Sequence, residues 1–331
     1  MKTAILAPMA DLTHRALREL IMEFGGCDEY FSEMISARGL LNNGHLERYY
    51  TDAGPHPERV VYQLIGTDAQ SLADAARQLD GNTCAGIDIN MGCSAPHITR
   101  GGGGVSWMAD PDAAVHMVSQ VRAAVRSHRF SVKIRLGYDD DLSRLLAFCR
   151  NLEDVGVEMI TLHPRTAKQR FKRSARWSFI EQIAGELKIP VIGNGDVARA
   201  DQLKRRLSDG PWAGVMVGRG AVQQPWLFAA ARGLDSANVI DREHTALRFI
   251  ELLRMHQPPE FWKSRAHRFF GYYSANFAWG HDLAVAVKRE TDLFAITNLV
   301  RAYFREHPQE RTIKKPPRSE AAHFSTSTVD S

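Results

Sequence analysis

Residues 86–104 read GIDINMGCSAPHITRGGGG. The run begins as a buried apolar strand, Gly86–Asn90. It closes on an amide, Asn90, and a single thiol, Cys93, followed by a turn and four glycines. A strand ending on such groups, before a loop whose backbone can approach a ligand closely, has the form of a chemical site. A buried cysteine beside a glycine loop is the structural alternative, because free Cys is among the most buried residue types.

The same unit recurs on both sides of this stretch. Short β-rich apolar runs lie at 4–7, 30–34, 60–65, 86–90, 130–134, 159–162, 191–193 and 215–217. Segments with helical periodicity separate most of them, at 17–24, 71–79, 113–125, 142–155 and 179–187. Strand and helix in alternation imply an α/β protein with a parallel sheet. Eight such units over roughly 220 residues predict a closed (β/α)8 TIM barrel. An open doubly wound sheet is the alternative. It calls for a Gly-x-Gly-x-x-Gly turn after the first strand, and APMADL stands there instead.

Active sites of such barrels occupy the C-terminal ends of the strands. Those ends carry Pro8 and Met9, Glu33, Gln63, Asn90, Lys133 with Arg135, His163, Asn194, and Gly218 with Arg219. Polar or conformationally special residues thus fall at the mouth of every unit, where buried strands otherwise read as unbroken Val, Ile and Leu. The loops after strands seven and eight read GNGD (193–196) and GRGA (218–221). Their glycines let backbone N–H groups reach phosphate oxygens, and Arg219 adds a charged fork, so this pair of loops predicts a phosphate site.

Composition is that of an ordinary soluble globular chain, 44% hydrophobic and 24% charged, with no apolar run of the roughly 20 residues a membrane span needs. The N-terminal apolar run reads as a first strand and not as a leader, so a cytoplasmic protein is expected. Cys27, Cys84, Cys93 and Cys149 are scattered, with no Cys-x-x-Cys pair, which argues against zinc and against a disulfide framework. The net charge of +4 points only weakly to an anionic partner. Its distribution says more. Residues 164–176, PRTAKQRFKRSAR, hold six Lys/Arg and no acid. A second basic group, Lys263, Arg265, His267 and Arg268, is followed by Phe269 and Phe270, a combination that suits a nucleic-acid surface. A solvated face is the commoner explanation of either run. From about 242 to 305 no strand run appears, and the periodicity predicts a small helical bundle. The expected divisions are a barrel over 1–235, a helical domain over 240–308 and a disordered tail over 309–331.

These residues, in order, resemble the dihydrouridine synthases, flavin enzymes that reduce specific uridines in RNA, chiefly transfer RNA. The resemblance runs through APMA at Ala7, SEMISARGL at Ser32, YQLIG at Tyr62, DINMGC at Asp88, VKIRLG at Val132, HPRTAKQRF at His163, IGNGD at Ile192 and VGRGAVQQPWLF at Val217. It covers roughly residues 3–230, and the family also has a helical C-terminal domain, here assigned to RNA binding. It implies a non-covalent FMN over the barrel mouth, with NADPH or NADH as reductant. Pro8 and Met9 would lie beneath the flavin ring, with Gln63, Lys133 and His163 flanking it. Asn194, Gly195, Asp196, Gly218 and Arg219 would hold its ribityl and phosphate end. Cys93 matches the catalytic cysteine, which protonates uracil C5 after hydride reaches C6 from flavin N5. A thiol is acidic enough and weakly hydrated enough for that task. Asn90, Arg135 and Phe171 would bind the substrate base. Transfer RNA is the expected partner, with no metal or membrane partner and a monomeric state.

The chain departs from the family's pattern at Ser94 and His97 beside the cysteine, Pro164 after the strand-six histidine, Phe171 in place of a tyrosine, His14 in place of an aspartate, and VSWM at 105–108. These bear on substrate choice and, with the four glycines, predict a loosely held Cys93 loop. Three alternatives stand beside the main reading: ribosomal RNA as substrate, a small-molecule flavin oxidoreductase, and an RNA-binding flavoprotein impaired in catalysis.

Overall fold

The structure, a computed structural model, describes residues 2–314. Eight parallel strands close into a barrel in sequential order: β1 (Thr3–Leu6), β2 (Glu29–Ser36), β3 (Val60–Ile65), β4 (Gly86–Met91), β5 (Arg129–Ile134), β6 (Met159–Leu162), β7 (Val191–Asn194) and β8 (Gly214–Val217). The last strand pairs with the first, from Thr3 opposite Gly214 to Leu6 opposite Val217. The two-residue side-chain period of a strand explains the layering. In β4, Ile87, Ile89 and Met91 join the apolar shell shared with the surrounding helices, while Asp88 and Asn90 belong to the barrel interior. Pairing stacks Gln63, Asp88 and Ser131 on one interior rung, and Asn90, Lys133 and Thr161 on the next rung toward the mouth. A small apolar cluster of Ile5, Ala7, Phe31, Val61, Met159, Ile192 and Met216 fills the rest of the barrel interior.

Helices Arg242–His256, Pro259–Tyr273, Gly280–Arg289 and Leu293–Glu306 follow the barrel. Asp241 and Asp292 start two of them, each accepting a backbone N–H three residues on, from His244 and Ala295. Aromatic packing holds the bundle: Phe269 stacks on Phe249 at 3.7 Å and on Tyr273 at 4.9 Å between ring centres. This corrects one expectation. Phe269, Phe270 and Arg265 are fully buried, so of that basic-aromatic group only Lys263 and Arg268 are exposed. Residues 308–310 form a 3-10 turn, and β10 (Thr312–Lys314) pairs antiparallel with β9 (Val239–Asp241). The rest of the expected tail, 315–331, lies outside the described residues. Among the described residues no helix is long and apolar enough to cross a membrane, and no group of three or more His, Cys, Asp or Glu could hold a metal ion.

Candidate active site

Cys93 follows β4 at the barrel mouth and is partly exposed, whereas Cys27, Cys84 and Cys149 are buried. Burial pushes those three thiols up to about 12, 11 and 12, which makes them poor proton donors or nucleophiles. A chain of side-chain hydrogen bonds leads from the barrel interior to Cys93. Ser131 Oγ and Gln63 Nε2 both donate to Asp88, each at 2.7 Å. Asn90 Nδ2 donates to Gln63 Oε1 at 2.8 Å, and Asn90 Oδ1 accepts the backbone N–H of Cys93 at 2.8 Å and of Gly92 at 3.1 Å. Burial raises the Asp88 carboxyl to about 6 against the pull of Ser131 and Gln63. By accepting from Gln63 Nε2, Asp88 fixes which way the Gln63 amide faces, and Gln63 Oε1 in turn fixes Asn90.

The Cys93 loop is tied at both ends of that residue. Val105 N–H donates to the Cys93 carbonyl at 2.9 Å, and Trp107 Nε1 donates to the Gly66 carbonyl at 3.0 Å. Gly104 has φ +60°, and a Cβ there would collide with the Cys93 carbonyl. Gly103 and Gly104 are buried and serve close packing, whereas Gly101 and Gly102 are exposed and an added Cβ at Gly102 would meet nothing within 4 Å.

Across the mouth, Lys133 Nζ donates to Asn194 Oδ1 at 3.0 Å, and Asn194 Nδ2 donates to the Met216 carbonyl at 2.8 Å. Burial, with Arg135 nearby, lowers the Lys133 ammonium to about 8. Arg135 donates from Nε to the Gly92 carbonyl at 2.8 Å, on the residue next to Cys93. Burial, followed by Lys133, Arg135, Arg165 and Arg219, holds His163 well below its ordinary range, so the ring is neutral. Arg165 Nη1 donates to His163 Nε2 at 2.8 Å, which places the ring proton on Nδ1. Arg165 also grips both oxygens of Asp196, at 2.5 and 2.7 Å. Gly195 has φ +130°, and a Cβ there would lie 2.7 Å from that of Ala175. Phe171 is 57% exposed on the loop after β6, with the guanidinium groups of Arg219 at 4.6 Å and Arg135 at 5.5 Å from its ring.

The strand ends thus gather Cys93, Asn90, Lys133, Arg135, His163, Asn194, Gly195, Asp196, Arg219 and Phe171 at one end of the barrel. Met9 borders Gly218, where an added Cβ would lie 3.2 Å from its sulfur, and Pro8 is half-buried beside it. Gln63 differs from the rest: it is fully buried and its amide is engaged by Asp88 and Asn90, so its place is behind the site. Two supports went unread in the sequence. Asp88 had a signal, an acid inside an apolar strand run. Arg165 had none, because it sits in a charge run that reads as solvated, yet it is 2% exposed.

The family model described as dihydrouridine synthase matches residues 5–277. A probable tRNA-dihydrouridine synthase of Aquifex aeolicus (strain VF5) is 35% identical over 234 residues, 68% of this chain and 71% of the relative. A tRNA-dihydrouridine(16) synthase of Ralstonia nicotianae is 30% identical over 315 residues, 91% of this chain and 95% of the relative. Among solved structures, histamine dehydrogenase from Rhizobium sp. 4-9 shares the fold with a TM-score of 0.55 and 12% identity; the match covers 76% of this chain and 49% of that longer one. With a family model over most of its length and relatives matched along most of theirs, this chain belongs to the dihydrouridine synthase family.

Proposed function

We propose that this chain reduces specific uridines of transfer RNA to 5,6-dihydrouridine, with FMN as cofactor, NADPH or NADH as reductant and Cys93 as proton donor. Family membership implies a flavin. The observation that carries the reading is a partly exposed thiol just after β4 at the barrel end where Lys133, Arg135, Arg165 and Arg219 gather. This group of cations suits a phosphate-bearing group. Lys133, Arg135, Arg165 and Arg219 surround His163, and Asp196, the carboxylate among them, is already held by Arg165. Pro8 and Met9 would support the ring, Lys133 and Asn194 its polar edge, and Gly195, Gly218 and Arg219 its phosphate end. His163 offers a donor, Nδ1–H. Asp196 and Gln63 would act as supports, since their polar atoms already face protein partners.

Bound flavin would supply the hydride that adds to uracil C6. Cys93 Sγ gives its proton to C5, which holds the electron pair released from the C5=C6 bond, and takes a replacement from water. The free N–H of Asn90 Nδ2 is available to a uracil carbonyl, and Arg135 stabilises negative charge growing there. The base leaves its stack to reach the pocket, at a cost of a few kcal/mol that is lowest in an unstacked loop. Four exposed cations of the loop after β6, Lys168, Arg170, Lys172 and Arg173, suit an RNA backbone and have no use for a small molecule. Arg165 and Arg176 of that run are engaged by Asp196 and Asp140. The helical region, 240–308, would dock the RNA. A cytoplasmic monomer with a barrel over 1–235 accords with this reading.

The test is Cys93→Ala with nucleoside mass spectrometry on transfer RNA. The variant should keep bound flavin absorbance and lose dihydrouridine formation by about 10²-fold or more. Dihydrouridine at the parent rate would remove Cys93 from the reaction.

A further inference from the structure

Glu33 and Arg265 stand 232 residues apart in the chain and meet in the interior. Arg265, on helix Pro259–Tyr273, donates from Nη2 to Glu33 Oε2 at 2.8 Å, and the two side chains are 0% and 1% exposed. The guanidinium also lies over Phe261 at 4.1 Å. The other Glu33 oxygen accepts the backbone N–H of Asp11 at 2.6 Å. Asp11 has φ +60° and belongs to the turn in which Leu12 and Thr13 N–H donate back to the Met9 carbonyl. One carboxylate therefore ties three things together: the middle of β2, the turn carrying Met9, and the helical region.

We propose that the Glu33–Arg265 pair is the joint that sets the angle of the helical region against the barrel, so that both are positioning residues for the RNA reaction. The proposal rests on the reading that the helical region docks RNA while the barrel performs the chemistry. Both partners of Glu33 are donors, so a carboxylate answers both, whereas an amide of the same shape answers only one. A planar, stacked guanidinium also sets an orientation that a flexible point charge does not. Beside the joint, the Arg248–Glu23 ion pair at 2.7 Å and the His256 Nε2 contact with Glu19 at 3.0 Å are partly exposed and hold more weakly. The angle between the two regions decides where a docked RNA presents its uridine, so a loosened joint costs RNA turnover and leaves flavin chemistry in place.

Breaking only one partner would leave a buried charge, so the test uses the double variant Glu33→Gln with Arg265→Met. Glutamine keeps an acceptor for Asp11, and methionine fills the space beside Phe261. Flavin absorbance and oxidation of NADPH with dioxygen as acceptor should stay within about twofold of the parent. Dihydrouridine formation on transfer RNA should fall at least about tenfold in kcat/KM, mostly through KM. Arg265→Lys, which keeps the charge, should recover part of that loss. RNA turnover within twofold of the parent would overturn the proposal. So would a parallel fall of NADPH oxidation and RNA turnover, or a folded Arg265→Lys protein no better than the double variant. The parent measured beside them tests the underlying reading: no dihydrouridine from the parent refutes the function, while undiminished dihydrouridine from the double variant refutes the joint.

Discussion

Between β3 and β5 the polar side chains at the barrel mouth answer one another, whereas between β5 and β8 the cations outnumber their carboxylates. On the first side, Ser131, Gln63, Asp88 and Asn90 form a continuous run of hydrogen bonds that ends on the Cys93 backbone. Such a matched network is rigid before any ligand arrives. On the second side, Lys133, Arg135, Arg165 and Arg219 crowd a neutral histidine, with Asp196 as the nearby carboxylate. That arrangement holds like charges close together. The thiol half is fixed by its own hydrogen bonds, and under the proposed function the cation half would be completed by the phosphate-bearing cofactor.

Asn90→Ala should show the largest difference between the halves. It removes the acceptor of the Cys93 and Gly92 N–H groups and leaves Gln63 Oε1 without its donor. Each buried orphan costs roughly 1–3 kcal/mol, and dihydrouridine formation should drop by about 10²-fold or more. FMN binding, followed by fluorescence titration, should change less than about threefold. Equal loss of both would mean that the two halves are one unit. Arg219→Ala should give the converse pattern. Losing one charge-assisted contact of about 1.5–3 kcal/mol raises the FMN dissociation constant roughly 10- to 100-fold, and excess FMN should restore RNA turnover. Turnover that stays low at saturating FMN would place Arg219 with the substrate.

The difference between the halves also explains what could be read from sequence. β3 and β6 have the bounds the apolar runs predict, because a fully buried strand must alternate or run apolar along its whole length. The mouth residues were legible for the same reason: a polar group at the end of such a run has few places to go but the rim. Partnerships across the chain were not legible. Asp196 lies 31 residues beyond Arg165, and nothing local distinguishes that arginine from its solvated neighbours. Phe269 and Phe270 misled because two aromatics after a basic group fit either an RNA face or a core. The stacking of Phe269 on Phe249 and Tyr273 decides for the core.

A smaller effect should follow from pH. Burial and Arg135 lower Lys133 to about 8, so its ammonium is present below that pH and lost above it. If the charged form binds, FMN affinity of the flavin-free protein falls as pH rises through about 8, by up to about tenfold per unit. Lys133→Gln should flatten the profile in the same titration. A profile that stays steep in that variant would assign the titration to another group.

The smallest effect is expected at Phe171, where the two halves meet. Its exposed ring has two guanidinium groups near it, that of Arg135, which reaches toward the thiol side through Gly92, and that of Arg219 on the cation-rich side. A cation over an exposed ring contributes about 0.5–1 kcal/mol, and tyrosine offers the same face. Phe171→Tyr should therefore alter RNA turnover less than about threefold, while Phe171→Ala, which removes both contacts, should lower it by about fivefold to tenfold. A gain of more than tenfold from Phe171→Tyr would show that a hydroxyl at this position reaches the reacting base, and that the ring's place near the two guanidinium groups is secondary.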